Sequence, residues 1–408
     1  MAKPARLLPS LARRRLLLAA ATLAAGGARG EPAVRIGSTL VIGGALRDDN
    51  EAVWSRVVQA AGGAGARIAV FPTGSGDPEA SLQEIGTQLA RRGAVPLPVR
   101  VSPLLAGSDA QDVQWRRTVD SAHGVFFSGG AQARLMDSLQ PGGRPGPLLQ
   151  AVQALHARGG LVAGTSSGAA VLSAHAFREA PDLHAAMRGR LRDGIEVDRG
   201  FGFLRPDVVV DQHFMRRGRI GRLLPLLAQR GAAWGLGVEE DSAAQVQGER
   251  LESLGAQGVL AIDMTGARVL GTAPLALQSA RLHWLAAGDR LDLTQRRATA
   301  AAQRSQRVAL PVAAPPLFLP DLLGEGQLSL ALRRLALGTT TELLGLTFPA
   351  PPGDDGPAFE WRLRADRDTE AWRGADGSAS LFGLRLDVQP VRMARPLYTP
   401  WPGSSGAS

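Results

Sequence analysis

An apolar strand that runs into Gly164-Thr165-Ser166-Ser167-Gly168 and then into a helix starting near Ala169 leaves few folds open to this chain. A strand, sharp turn and helix in that order belong in an open α/β sheet, where the residue at the turn stands clear of the sheet as a nucleophile must. The flanking glycines are expected to turn the backbone with positive φ and to leave room for a substrate. Apolar stretches near 39–42, 68–72, 95–101, 124–128, 161–163, 208–211 and 236–239 alternate with helical stretches such as 50–61 and 78–92. That alternation implies a mostly parallel sheet with helices on both faces. Residues 251–293 read instead as antiparallel strands, as in Arg281-Leu282-His283-Trp284-Leu285. Pro-rich breaks at 311–320 and 349–357 bound a tail in which Phe359-Glu360-Trp361-Arg362-Leu363-Arg364 alternates like a strand. Three segments are therefore expected: 1–30, a main domain over 31–300, and a β-rich C-terminal extension over 301–408 that carries no recognisable chemistry.

A nucleophilic serine needs a base, an acid to orient that base, and donors for the oxyanion. Of the six histidines, only His213 ends an apolar strand, in Val208-Val209-Val210-Asp211-Gln212-His213-Phe214. Carboxyl ends of strands are where open α/β sheets place their sites. The acid comes from Glu239-Glu240-Asp241, at the end of the short apolar run Gly235-Leu236-Gly237-Val238, and spacing alone does not choose among the three. Backbone N–H groups of Gly130, at the end of Phe126-Phe127-Ser128-Gly129-Gly130, and of Ser167 are the oxyanion candidates. The stretch Arg216-Arg217-Gly218-Arg219-Ile220-Gly221-Arg222 reads as the opening of a helix. Helical spacing would put Arg219 and Arg222 on adjacent turns beside the base, where guanidinium forks suit carboxylates.

The order serine, histidine, acid differs from the serine, acid, histidine order of α/β-hydrolases. Together with Ile42-Gly43-Gly44-Ala45, Phe127-Ser128-Gly129-Gly130-Ala131-Gln132, Gly164 to Ala170, Asp211-Gln212-His213-Phe214 and Gly235 to Asp241, this order resembles the cyanophycinases and peptidase E. These are serine peptidases with a class I glutamine amidotransferase-like fold. The resemblance spans roughly residues 36–297. It implies Ser166 as nucleophile, His213 as general base and Glu240 as third member, with Gln132, Asp211, Gln212, Arg217, Arg219 and Arg222 around the substrate. It also implies a substrate with an aspartate backbone, of the β-aspartyl-arginine type, cut after an aspartyl residue. Two positions depart from the family pattern: Ala131 stands where aspartate is usual, and Ser167 where alanine is. Both still supply a backbone N–H, so the first bears on substrate preference more than on catalysis. The alternatives are a peptidase E-like aspartyl exopeptidase and a non-catalytic binding protein for acidic ligands.

A formal charge of +9 invites a nucleic-acid reading, yet Lys3, Arg6, Arg13, Arg14, Arg15 and Arg29, with no acid among the first 30 residues, reduce the remainder to +3. Without a basic strip interleaved with aromatics, a nucleic-acid partner is not expected. A basic start, an apolar run over 16–25 and small residues through Ala28 form an export signal by the Sec or twin-arginine route. The expected location is the periplasm or the exterior, with no membrane span left once the signal is removed. The absence of cysteine rules out disulfides, a lipid-anchoring cysteine and the thiol nucleophile of the amidotransferases. The chemistry calls for no metal and no organic cofactor; the partner is an acidic peptide or polymer, and a homodimer is left open.

Overall fold

In the computed structural model, which describes Met1 and residues 37–110, 113–311, 314–348 and 356–393, two large sheets carry the chain. The export-signal reading of residues 1–30 lies outside the described residues, as does most of the 349–357 break. In the first sheet, Val95–Pro98, Arg67–Phe71, Gly124–Phe127, Leu161–Thr165 and Ser38–Ile42 lie side by side, every neighbouring pair parallel. Beyond Ser38–Ile42 the sheet continues antiparallel through Ser242–Gln247, Arg250–Gly255, Arg290–Asp292 and Arg297–Thr299.

Alternate residues of the parallel strands point to opposite faces, and both faces are apolar. Leu40, Ile68, Val70, Phe126 and Leu161 meet Val53, Trp54, Val57, Ile85 and Leu89 from the helices Glu51–Ala60 and Pro78–Arg91. Val41, Phe71, Phe127 and Val162 meet Val119, Leu149, Val152 and Leu155 from Val113–Ser121 and Pro147–Ala157 on the other. Each such side chain, once buried, is worth roughly 1.5–3 kcal/mol, which is why the strands read as unbroken apolar runs. The first two helices begin where a side chain takes up an orphan N–H: Asn50 accepts from Val53 at 3.2 Å and Asp77 from Ala80 at 3.0 Å. The α/β core with helices on both faces is thus as expected.

The second sheet departs from expectation. Val208–Gln212 and Trp234–Val238 are parallel neighbours, but they do not join the first sheet. They continue antiparallel into Val259–Asp263, Leu275–Leu285, Ala379–Val391, Ala358–Arg364 and Glu342–Thr347, with Leu317–Leu319 parallel at the far edge. The C-terminal extension is therefore β-rich but no appendage. Its Leu384 and Leu386 share one apolar cluster with Val209, Phe214, Leu223, Leu260 and Ile262, and the described residues from 37 onward form a single unit. Among the described residues no helix is long and apolar enough to cross a membrane. The chain leaves the second sheet at Val238 and enters the first at Ser242, so the three acids of residues 239–241 form the crossing.

Candidate active site

Strand Leu161–Thr165 ends at Ser166, and a single helical turn, Ser167–Ala170, follows at once. The positive φ expected of the flanking glycines belongs to the serine itself, with φ 53° and ψ −122°. The glycines serve close approach instead. A Cβ on Gly164 would lie 2.2 Å from the Gly168 carbonyl, and one on Gly168 2.5 Å from the Phe127 carbonyl. Ala45, His213 and Asp241 also hold positive φ, at 44°, 48° and 54°, so unusual backbone collects around this one point. Such conformations persist only where their surroundings fix them.

The segment after Ser38–Ile42 does much of that fixing. Ser166 N–H donates to the Ile42 carbonyl and His213 N–H to the next carbonyl, Gly43, each at 2.9 Å. Gly43 N–H donates to Ser242 and Asp241 N–H to Gly44, also at 2.9 Å. No side chain is tolerated here, because a Cβ on Gly44 would fall 2.4 Å from His213 Nε2 and one on Gly43 1.9 Å from the Glu239 carbonyl.

Held this way, Ser166 Oγ lies 2.9 Å from His213 Nε2, and His213 Nδ1 lies 2.6 Å from Glu240 Oε1. With Nδ1–H donating to Glu240, Nε2 is left as the acceptor of the serine proton. Burial pushes the His213 imidazole below its ordinary value, Glu240 opposes that, and the charges of Arg217 and Arg219 add to it. The other two acids have different work. Buried Glu239 accepts the N–H groups of Met215 at 2.5 Å, Glu240 at 2.8 Å and Arg216 at 2.9 Å, binding the crossing to the loop after His213. Asp241 accepts from Arg47 N at 3.0 Å and Asn50 Nδ2 at 2.8 Å, at the start of helix Glu51–Ala60.

Of the residues expected around the substrate, Gln212 alone touches the serine, its Oε1 accepting from Ser166 Oγ at 3.4 Å. Asp211, Arg219 and Arg222 do not fit the expectation. Arg222 Nε and Nη2 clasp Asp211 at 2.7 and 2.5 Å with both side chains buried, and Arg222 lies over the Phe177 ring at 4.3 Å. Arg219, which burial pushes down to about 10, donates to the Gln212 carbonyl at 2.7 Å and lies 3.5 Å from Asp211. The helix expected from Arg216 begins at Ile220, because Gly218 turns with φ 57° against the Leu323 carbonyl. Arg222 is thus bound within the fold and leaves no fork for a ligand, while buried Arg219 is engaged through Nη1. Arg217 is exposed. Gln132 opens the helix Gln132–Leu139 and does not line the cavity described next.

A cavity of about 350 Å³ opens beside Ser166 and His213. Its near wall includes Ser128, Gly129 and Gly130; its far wall includes Asp48, Trp54, Glu84 and Gln88. No lysine or arginine lines it, and Asp48 and Glu84 are both exposed to it without an ion-pair partner among the described residues. Sequence reading passed over these two acids, although Asp48 follows the glycine turn after one parallel strand and Glu84 lies on the helix after another. A carboxyl-end location was the available signal. Backbone N–H groups of Gly130 and Ser167 donate to no backbone acceptor among the described residues. Ser167 Oγ is buried without a partner. Among the described residues no group of three or more metal-ligating side chains occurs.

The chain is similar to several known proteins. A model described as Peptidase family S51 matches residues 39–254. The cyanophycinase of Geminocystis herdmanii is 30% identical over 262 residues, covering 62% of this chain and 92% of its own. That of Trichormus variabilis is 30% identical over 277 residues, covering 65% and 89%. A solved structure of a peptidase from an acI-B1 actinobacterium has TM-score 0.45 and 22% identity, covering 63% of this chain and 97% of its own.

Proposed function

The chain belongs to peptidase family S51 and is a serine-type peptidase, and from that premise we propose that Ser166, His213 and Glu240 form its catalytic triad and that its substrate is an aspartyl peptide bearing a cationic side chain. The run of contacts from Ser166 Oγ through His213 to Glu240 Oε1, at 2.9 and 2.6 Å, carries this reading. Ser166 attacks the scissile carbonyl while Nε2 takes its proton, and Glu240 balances the imidazolium that forms. The oxyanion is received by the N–H groups of Gly130 and Ser167. The imidazolium returns the proton to the leaving amine, and water then releases the acyl group by the same steps in reverse.

The charges about the cavity support this substrate class. In a β-aspartyl-arginine unit the arginine is joined through its α-amino group, so its guanidinium and its carboxylate both remain free. Asp48 and Glu84 suit the cation, and exposed Arg217 is the remaining candidate for the carboxylate. This replaces the grip on acidic groups expected of Arg222. We also propose export through the segment 1–30, on its basic, apolar and small-residue pattern; cell fractionation with N-terminal sequencing of the recovered protein tests it.

The direct experiment is mass spectrometry of products from β-aspartyl-arginine polymer, α-aspartyl dipeptides and β-aspartyl peptides lacking a cation. Release of β-aspartyl-arginine units, and an activity loss of about 10³-fold or more in Ser166→Ala, are expected. Preference for uncharged β-aspartyl peptides would overturn the substrate class, and an active Ser166→Ala protein would overturn the triad.

A further inference from the structure

Residues 320–326, between strand Leu317–Leu319 and helix Gln327–Ala336, belong to the C-terminal extension and lie outside the matched span of 39–254. They nevertheless reach the triad. Arg216 Nη1 lies 3.4 Å from Glu240 Oε2, the oxygen that His213 does not use, while its Nη2 lies 3.0 Å from Glu325 Oε1. The backbone is joined too: Gly326 N–H donates to the Arg216 carbonyl at 3.3 Å. Two glycines let the segments touch, since a Cβ on Gly218 would lie 2.1 Å from the Leu323 carbonyl and one on Gly221 2.7 Å from Leu323 Cδ1. Leu322, Leu323 and Leu328 share the apolar cluster of Phe214, Met215 and Ile220.

On the reading of Glu240 as third member of the triad, we propose that Arg216 and Glu325 are positioning residues, through which the C-terminal extension orients the Glu240 carboxylate toward His213. A carboxylate held at one oxygen can swing about its last torsion; held at both, it keeps Oε1 on Nδ1. Arg216 also partly neutralises Glu240. Losing its charge strengthens the pull of Glu240 on the imidazolium and raises the pH at which His213 loses its proton. Glu325 touches neither His213 nor Ser166 and acts only by restraining Arg216.

The test is a double-mutant cycle on the full chain, followed by kcat, KM and the pH profile of kcat/KM, with Ser166→Ala as control. Because Arg216 and Glu325 are largely exposed, effects are modest. Arg216→Ala is expected to lower kcat about 3- to 10-fold with KM nearly unchanged and to move the acid limb upward, with Arg216→Lys restoring part of both. Glu325→Gln is expected to lower kcat about 2- to 5-fold alone and to do nothing further in the Arg216→Ala background. Circular dichroism and a thermal melt confirm that each variant is folded. Equal losses from Glu325→Gln in both backgrounds, or an unmoved pH profile in Arg216→Ala, overturn the proposal while an inert Ser166→Ala leaves the triad standing. An active Ser166→Ala protein overturns the triad reading itself.

Discussion

Replacing Arg222 with alanine separates a ligand-binding guanidinium from a structural one. Arg222 is 2% exposed and Asp211 0%, and the pair is joined at 2.7 and 2.5 Å. Truncation leaves a fully buried carboxylate with Arg219 at 3.5 Å and its neighbour's Gln212 N–H at 2.9 Å as remaining company. Removing one partner of a buried ion pair costs about 3–5 kcal/mol, and the remaining Arg219 argues for the lower end, about 3 kcal/mol. Against a total stability of about 5–15 kcal/mol the variant still folds, though with a much smaller margin. Urea unfolding followed by tryptophan fluorescence should show that loss, while KM of the folded protein for a charged substrate changes less than about 3-fold. Arg222→Lys should recover only part, for want of a fork. Exchanging both partners for apolar residues, Asp211→Leu with Arg222→Met, should also recover only part, because buried Arg219 then loses the Asp211 carboxylate beside it. Unchanged stability with a KM increase of 10-fold or more would refute this reasoning and return the guanidinium to the substrate.

Three further outcomes are expected. Because burial, aided by Arg217 and Arg219, holds the His213 imidazole below its ordinary 6.5, the neutral base persists into mild acid, so the acid limb of kcat/KM should have its midpoint below 6.5. The same depression means that the unfolded chain takes up that proton first as pH falls, and folded-state stability is lost from about 6.5 downward; Arg217→Ala should raise the midpoint in a pH–rate profile. Ser167→Ala removes a buried hydroxyl that has no partner and keeps the N–H, so it should raise unfolding free energy by about 1 kcal/mol with kcat retained, as measured by urea melts beside kinetics. Glu239→Gln, which weakens three backbone hydrogen bonds around the loop after His213, should lower both stability and kcat, and a fully active, fully stable variant by the same measurements would contradict that role.

Ser166, His213 and the acid cluster were legible because each ends an apolar strand, and a run of buried residues stopping at a polar one is a local signal. The division of labour among Glu239, Glu240 and Asp241 was not, since it depends on which carboxylate meets which N–H across the crossing between sheets. Arg219 and Arg222 misled for a related reason. Helical spacing says which residues share a face, but not that Asp211, at the end of the preceding strand, lies within reach of both. The membership of 208–212 and 234–238 in a second sheet was hidden because Trp234–Val238 pairs with Val259–Asp263 across an intervening hairpin, Ser242–Gln247 and Arg250–Gly255, that belongs to the first sheet. Asp48 and Glu84 required knowledge of strand order, which places two loops distant in sequence around one cavity.

Ser166 and His213 hang from consecutive carbonyls, those of Ile42 and Gly43, although they arrive on strands of different sheets. A single residue, Gly43, therefore sets the spacing between them, its backbone pinned by the N–H bond to Ser242 and by close contact with the Glu239 carbonyl. With that one residue pinned, warming that loosens the two sheets against each other widens the spacing of their suspension points very little. The Ser166–His213 contact should consequently hold its length up to the temperature at which the hydrogen bonds to residues 42–43 fail, and then be lost abruptly rather than by gradual drift.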